Sequence, residues 1–240
     1  MRRFSQQSVD CGIVGVAALA VFTWWTLQAG GYFAREWMAG TLLLLVVGAT
    51  SAAGLSRRNV LPDRGAALAL LGFTAYVAWS FLSILWADAP ADALEGSQRA
   101  LAYLVCFTVF VVLPWTPRAL LTAVLSFVAT MTVIGALTLV RLLDGAPLAD
   151  RFIDGSLLGP VGYHNASAAL FVMAGIPALM LAARHELVTW LRAPLLAAST
   201  LLLGLAGLGQ SRGLLLSLPV VAVLVLLLSP DRLKLALFAV

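Results

Sequence analysis

Two polar stretches carry the side chains best suited to act on a ligand. Gly159-Pro160-Val161-Gly162-Tyr163-His164-Asn165-Ala166 puts a phenol, an imidazole and a carboxamide side by side, and Gly209-Gln210-Ser211-Arg212-Gly213 sets an arginine between a hydroxyl and a glycine. A guanidinium is a planar fork of donors that suits two phosphate oxygens better than an ammonium does. The small neighbours Ser211 and Gly213 leave room for a bulky anionic head group. If Gly213 opens a helix, backbone N–H groups would face the same anion. The competing reading is an arginine that snorkels to the membrane surface and fixes topology. His164 has two readings, a proton carrier or sugar contact and a plain surface group at a helix start. Tyr163 offers a ring for stacking on a sugar or for anchoring at the interface, and Asn165 is suited to cap a helix. Asn165-Ala166-Ser167 matches a glycosylation sequon, but it lies too close to an apolar run to act as an acceptor.

Other candidates are weaker. Arg99 precedes an apolar run and reads either as a second phosphate contact or as a snorkelling residue. Asp88, Asp92 and Glu95 would share a helical face as paired carboxylates or metal ligands, but Pro90 interrupts the first pair, which favours a solvated acidic loop. His185 and Glu186 fall in a basic loop and read as solvated. Cys11 and Cys106 match no metal or redox spacing and read as packing residues. The sequence has no Walker loop, dinucleotide fingerprint, His-Glu-x-x-His or Cys pair, so neither a metal nor a cofactor is expected. No charged residue stands in the middle of an apolar run, which argues against an ion or proton relay.

The elements that position these residues are membrane helices. The chain is 62% hydrophobic and only 11% charged, with a mean hydropathy of +0.99, more than a soluble domain needs for its core. A bilayer core of roughly 30 Å takes about 20 apolar residues per helix, and such runs recur between short charged loops. The alternating polarity of a membrane barrel is absent. The expected fold is all-α, a polytopic transmembrane bundle of eight complete helices forming a single domain over residues 1–240. The runs are Gly12 to Leu27, Trp37 to Leu55, Gly65 to Trp86, Ala100 to Leu113 (short unless it begins within the acidic loop), Ala119 to Leu142, His164 to Ala183, Ala193 to Gln210 and Leu214 to Leu228. Met1-Arg2-Arg3-Phe4 resembles the start of a signal sequence, but no small-residue cleavage site with a soluble domain follows, so the first run reads as a retained helix. An apolar run begins again near Leu233 and reaches Val240 as the start of a ninth helix, so the chain is expected to be the N-terminal part of a longer protein or a truncated product.

Charge sets the expected orientation. With the N-terminus in the cytoplasm, the inner loops hold ten basic residues and the outer ones five, Arg35, Arg99, Arg141, Arg151 and Arg212. That bias satisfies the positive-inside rule and places both polar stretches outside. The net charge of +4 and pI near 9.6 come from these loop arginines, so they signal topology and not nucleic acid.

Three segments together resemble the O-antigen ligase and O-antigen polymerase superfamily of bacterial envelope glycosyltransferases. They are Trp79-Ser80-Phe81-Leu82-Ser83-Ile84-Leu85-Trp86-Ala87 with the acidic segment and Arg99-Ala100-Leu101-Ala102-Tyr103-Leu104 after it, the Gly162 to Ala166 turn, and Gln210-Ser211-Arg212-Gly213. The resemblance implies a multi-pass protein of the bacterial cytoplasmic membrane, surrounded by membrane lipids. It would move a glycan from an undecaprenyl diphosphate carrier to a hydroxyl of an acceptor glycan or lipid, without a nucleotide sugar or an essential metal. Arg212 matches the family's Ser-Arg motif, whose arginine holds the donor diphosphate, and on that basis the functional reading of Arg212 overtakes the snorkelling one. The family's proposed catalytic base is a histidine in a large outer loop after the ninth helix. That loop would lie beyond Val240, so no residue here is assigned the role. The rival classes are a membrane transporter, which would show an internal repeat with broken helices, and a non-catalytic scaffold or lipid-binding partner. Pro177 and Pro219 interrupt two of the runs, but no repeat is evident.

Overall fold

A computed structural model describes residues 2–55, 64–113, 115–144, 151–184 and 186–228. Among them the chain is almost wholly helical, because long apolar stretches must satisfy their backbone groups internally. The helices are α1 (Arg2–Leu27), α2 (Ala34–Leu55), α3 (Arg64–Ser83), α4 (Pro90–Val112), α5 (Pro117–Leu143), α6 (His164–Ala182), α7 (Thr189–Leu208) and α8 (Arg212–Leu228). Between α5 and α6 lies a small antiparallel hairpin of β1 (Phe152–Ile153) and β2 (Ser156–Leu157). Among the described residues four segments are long and apolar enough to cross a membrane: α3 with the 3₁₀ turn after it (Arg64–Trp86), α5, α6 and α7. The protein is thus an all-α membrane protein. The start of a ninth helix near Leu233 and the loop carrying Arg57 and Arg58 lie outside the described residues.

One compact unit comprises residues 1–25 and 31–123. Here α1 and α2 run antiparallel and touch where Gly40 faces Val21 and Trp25; a Cβ on Gly40 would stand 2.7 Å from either side chain. The α2 and α4 helices come equally close at Gly48, opposite Val109. The antiparallel α3 and α4 helices are pinned by Ser80 and Ser97, whose hydroxyls lie 2.9 Å apart, and by the Phe73 and Phe107 rings. Small residues at such crossings let backbones approach, the usual basis of helix association in lipid. The acidic segment is not a loop. Pro90 opens α4 as its first residue, where its missing N–H costs nothing, so Asp92 and Glu95 stand in the helix and Arg99 lies ten residues into it rather than before it.

The other unit comprises residues 26–30 and 124–240. Its centre is α6: 56% of its apolar window is buried, against 28% for α5 and 33% for α7. Side chains fix an antiparallel register between α6 and α7. Arg192 Nε donates to Ala182 O (2.8 Å), Ser199 Oγ donates to Gly175 O (3.0 Å), and Gly209 meets Ala168 and His164. Gly175 leaves the space that Leu202 and Leu203 fill, and Gly135 of α5 does the same for Leu202 and Leu205. The buried core is Phe171, Ala174 and Ala178 of α6, Leu202 of α7 and Met131 of α5.

This packing makes a paired prediction. A Cβ at Gly175 would approach Leu203 to 2.8 Å, whereas one at Gly204 meets nothing within 4 Å. Gly175→Val is expected to destabilise the protein by about 1–3 kcal/mol, the usual cost of overpacking. Gly204→Ala should leave stability unchanged or raise it by up to about 1 kcal/mol. Thermal unfolding in detergent measures both.

Candidate functional site

The polar approach to α6 is a folded turn. Asp154 and Gly155 both have positive φ (49° and 77°), which suits the two-residue hairpin turn joining β1 to β2. Leu158 N–H donates to Arg151 O at 2.9 Å, and Gly162, at a φ of 85° that glycine accepts without strain, donates to Leu158 O at 2.9 Å. Ser167, buried in the first turns of α6, holds this turn beneath the helix. Its Oγ donates to Leu158 O (2.6 Å) and accepts from Val161 N–H (3.2 Å).

The cap expected of Asn165 is not formed. The residue before the helix is Tyr163, extended at φ −139°, and no side chain caps it. Asn165 stands inside the first turn, where Nδ2 donates to Tyr163 Oη at 2.7 Å. The His164 ring lies edge-on to Tyr163, centroids 5.0 Å apart. Tyr163, His164 and Asn165 therefore form one small polar cluster, with Tyr163 half exposed. The first intrahelical bond runs from Ser167 N–H to Tyr163 O, so the N–H groups of His164, Asn165 and Ala166 have no partner within the helix, as at any helix start.

The second polar stretch meets the first. Gly209, the last residue of α7's cap, is buried, and a Cβ there would stand 2.9 Å from Ala168 Cβ and 3.2 Å from His164 O. Only glycine lets the two backbones come so near. Gln210 follows in a left-handed conformation, φ 44°, which costs a non-glycine residue roughly 1–2 kcal/mol; its Nε2 donates to Gly155 O at the hairpin turn (3.1 Å). Ser211 is buried and caps α8, its Oγ accepting from Leu214 N–H at 3.2 Å. Arg212 is the first residue of α8 and is exposed. Among the described residues no hydrogen bond or ion pair engages its guanidinium. The sequence singled out Ser211 for its lack of bulk; its hydroxyl is in fact occupied within the fold. Two long helices thus start at one end of the α6–α7 pair, and their N-terminal partial positive charges add to that of Arg212.

Arg99 belongs to the other unit and is already engaged. Nη2 forms an ion pair with Glu95 (2.6 Å) and donates to Tyr32 O (3.1 Å), while the guanidinium covers the Tyr32 ring at 5.5 Å. This ties α4 to the segment between α1 and α2, a structural duty. The pair with Glu95 at i, i+4 was readable from the sequence once Pro90 is taken as a helix start. Asp88, Asp92 and Glu186 are exposed, Cys106 is half-buried in α4, and His185 lies outside the described residues. Among the described residues no group of three His, Cys, Asp or Glu side chains gathers. Sequence reasoning missed Ser167, Gln210 and the hairpin; the Asp154-Gly155 pair between Phe152-Ile153 and Ser156-Leu157 is the signal that could have found the last.

Comparison with protein-family models, curated proteins and solved structures gives no match to this chain.

The turn under α6 makes a prediction of its own. Ser167→Ala leaves the buried Val161 N–H without a partner, so a loss of about 1–3 kcal/mol in stability is expected. Ser211→Ala removes a cap and is expected to cost about 1 kcal/mol. Denaturation of the purified protein in detergent reads both.

Proposed function

We propose that the chain is the membrane part of an O-antigen ligase-like or polymerase-like glycan transferase. It would take a glycan from undecaprenyl diphosphate and pass it to an acceptor hydroxyl on the outer face of a bacterial cytoplasmic membrane. In this reading all eight helices span the membrane, the N-terminus is cytoplasmic, and the end bearing the starts of α6 and α8 faces outward. The two-to-one excess of basic residues in the inner loops supports that orientation.

The observation that carries the reading is the guanidinium of Arg212, exposed and without an ion-pair partner among the described residues, at the first position of α8, next to the residue that caps the helix. An arginine at a membrane helix end, with a second helix start beside it, is suited to a lipid-borne diphosphate. As the glycosidic C–O bond breaks, the diphosphate leaves with the bonding electrons, and donors held ready in a site of low polarity stabilise the charge it gains. The acceptor oxygen bonds to the sugar carbon and its proton passes to a base. That role is not assigned to His164 or His185. Tyr163, His164 and Asn165 stand at the neighbouring helix start as contacts for the sugar. The bilayer keeps donor and acceptor at one depth, which favours their alignment.

Arg212→Ala is expected to reduce glycan transfer in cells by roughly ten- to a hundredfold, matching about 1.5–3 kcal/mol for a hydrogen bond to a charged group. Arg212→Lys should recover little, since a point charge does not replace the fork. Polymer attached to acceptor, at equal protein level, is the readout. Unchanged transfer in Arg212→Ala would remove the reading.

A further inference from the structure

We propose that Gln210 is a positioning residue for Arg212, and that the β1–β2 hairpin is the strap to which it is fastened; the inference rests on the reading of Arg212 as the group that binds a lipid diphosphate. Gln210 occupies a left-handed conformation, φ 44°, where glycine would be at ease and glutamine is not. The preceding Gly209 cannot exchange places with it, because a side chain at 209 would run into Ala168 Cβ at 2.9 Å and His164 O at 3.2 Å. What glutamine gains over glycine is one contact, Nε2 to Gly155 O at 3.1 Å. Residues held in unfavourable backbone regions persist where their surroundings fix them, and such places cluster at functional sites.

The contact reaches a fastened element. Gly155 sits in the hairpin turn with φ 77°. The hairpin's foot is closed by Leu158 N–H to Arg151 O and tied to the end of α5 by the Arg151–Asp144 ion pair of 2.7 Å. A line of contacts therefore runs from α5 through the hairpin to the residue two before Arg212. On its other side Ser211 clamps the backbone by capping Leu214. Among the described residues no side chain pairs with the Arg212 guanidinium, so what the fold fixes is the backbone from which it departs. Fixing that backbone in advance lowers the cost of ordering the arginine on an anion.

The test uses the purified chain in detergent, with geranylgeranyl diphosphate as the probe, and reads both dissociation constant and melting temperature. Arg212→Ala is expected to weaken binding by about tenfold or more. Gln210→Gly, which relieves the backbone but drops the contact, is expected to weaken binding roughly three- to tenfold while the melting temperature holds or rises. Gln210→Glu, of the same shape but without the donor, should weaken it by a similar factor. If Gln210→Gly binds like wild type while Arg212→Ala does not, the positioning role is overturned and the reading of Arg212 stands. If Gln210→Gly lowers melting temperature together with affinity, Gln210 is merely structural and the inference is overturned. If Arg212→Ala binds like wild type, the reading of Arg212 falls and takes the inference with it.

Discussion

The close approach of α6 and α7 is the constraint from which the polar end of the molecule follows. Two helices in lipid gain little from apolar side chains alone, since the surrounding tails are equally apolar. They associate where backbones can come near, here at Gly175 against Leu203 and at Gly209 against Ala168, with Ser199 donating to Gly175 O between them. Those contacts set an antiparallel register that leaves no freedom in where α7 ends. It ends beside the first turn of α6, so Gln210, Ser211 and Arg212 must emerge next to Tyr163, His164 and Asn165.

Around that meeting point most polar groups serve the fold. Ser167 spans the turn from Leu158 to Val161, Ser211 caps α8, and Gln210 is bound to the hairpin. Asn165 is joined to Tyr163. In the other unit, Arg99, the second arginine offered by the sequence as a phosphate contact, is engaged through Nη2 by Glu95 and Tyr32 O, with its guanidinium over the Tyr32 ring. Arg212 has no ion-pair partner among the described residues. The internal bonds at the meeting point surround a guanidinium that stays open to solvent at the shared end of the two helices.

How much of this was legible in the sequence follows from which signals are local. The apolar runs gave the helices because length and hydropathy decide them, and α5, α6 and α8 begin within about two residues of their expected starts. The start of α4 was placed too late because the charges Asp92, Glu95 and Arg99 look like a loop. Pro90 at the first helical position and the Glu95–Arg99 spacing are the local signs that they are not. The cap at Asn165 failed for a tertiary reason: the chain enters α6 through a turn held by Ser167, four residues into the helix, and nothing in the spacing of Tyr163 to Ala166 announces that. The engagement of Ser211 and Gln210 was likewise hidden, since it depends on the hairpin and on where α7 ends. Arg212 was singled out by residue type and by its small neighbours, which are properties of the sequence itself.

The starts of α6 and α8 share one end of the helix pair, and the proposed function requires that this end face away from the cytoplasm. Site-directed labelling tests it directly. In a background with Cys11 and Cys106 replaced by Ser, single cysteines are placed at Gly213, which has open space for a side chain, and at exposed Glu186 in the connection at the opposite end of the pair. A membrane-impermeant maleimide should label Gly213→Cys in intact spheroplasts and Glu186→Cys only after lysis. The reverse pattern would put the guanidinium in the cytosol and rule out an extracytoplasmic diphosphate site at Arg212.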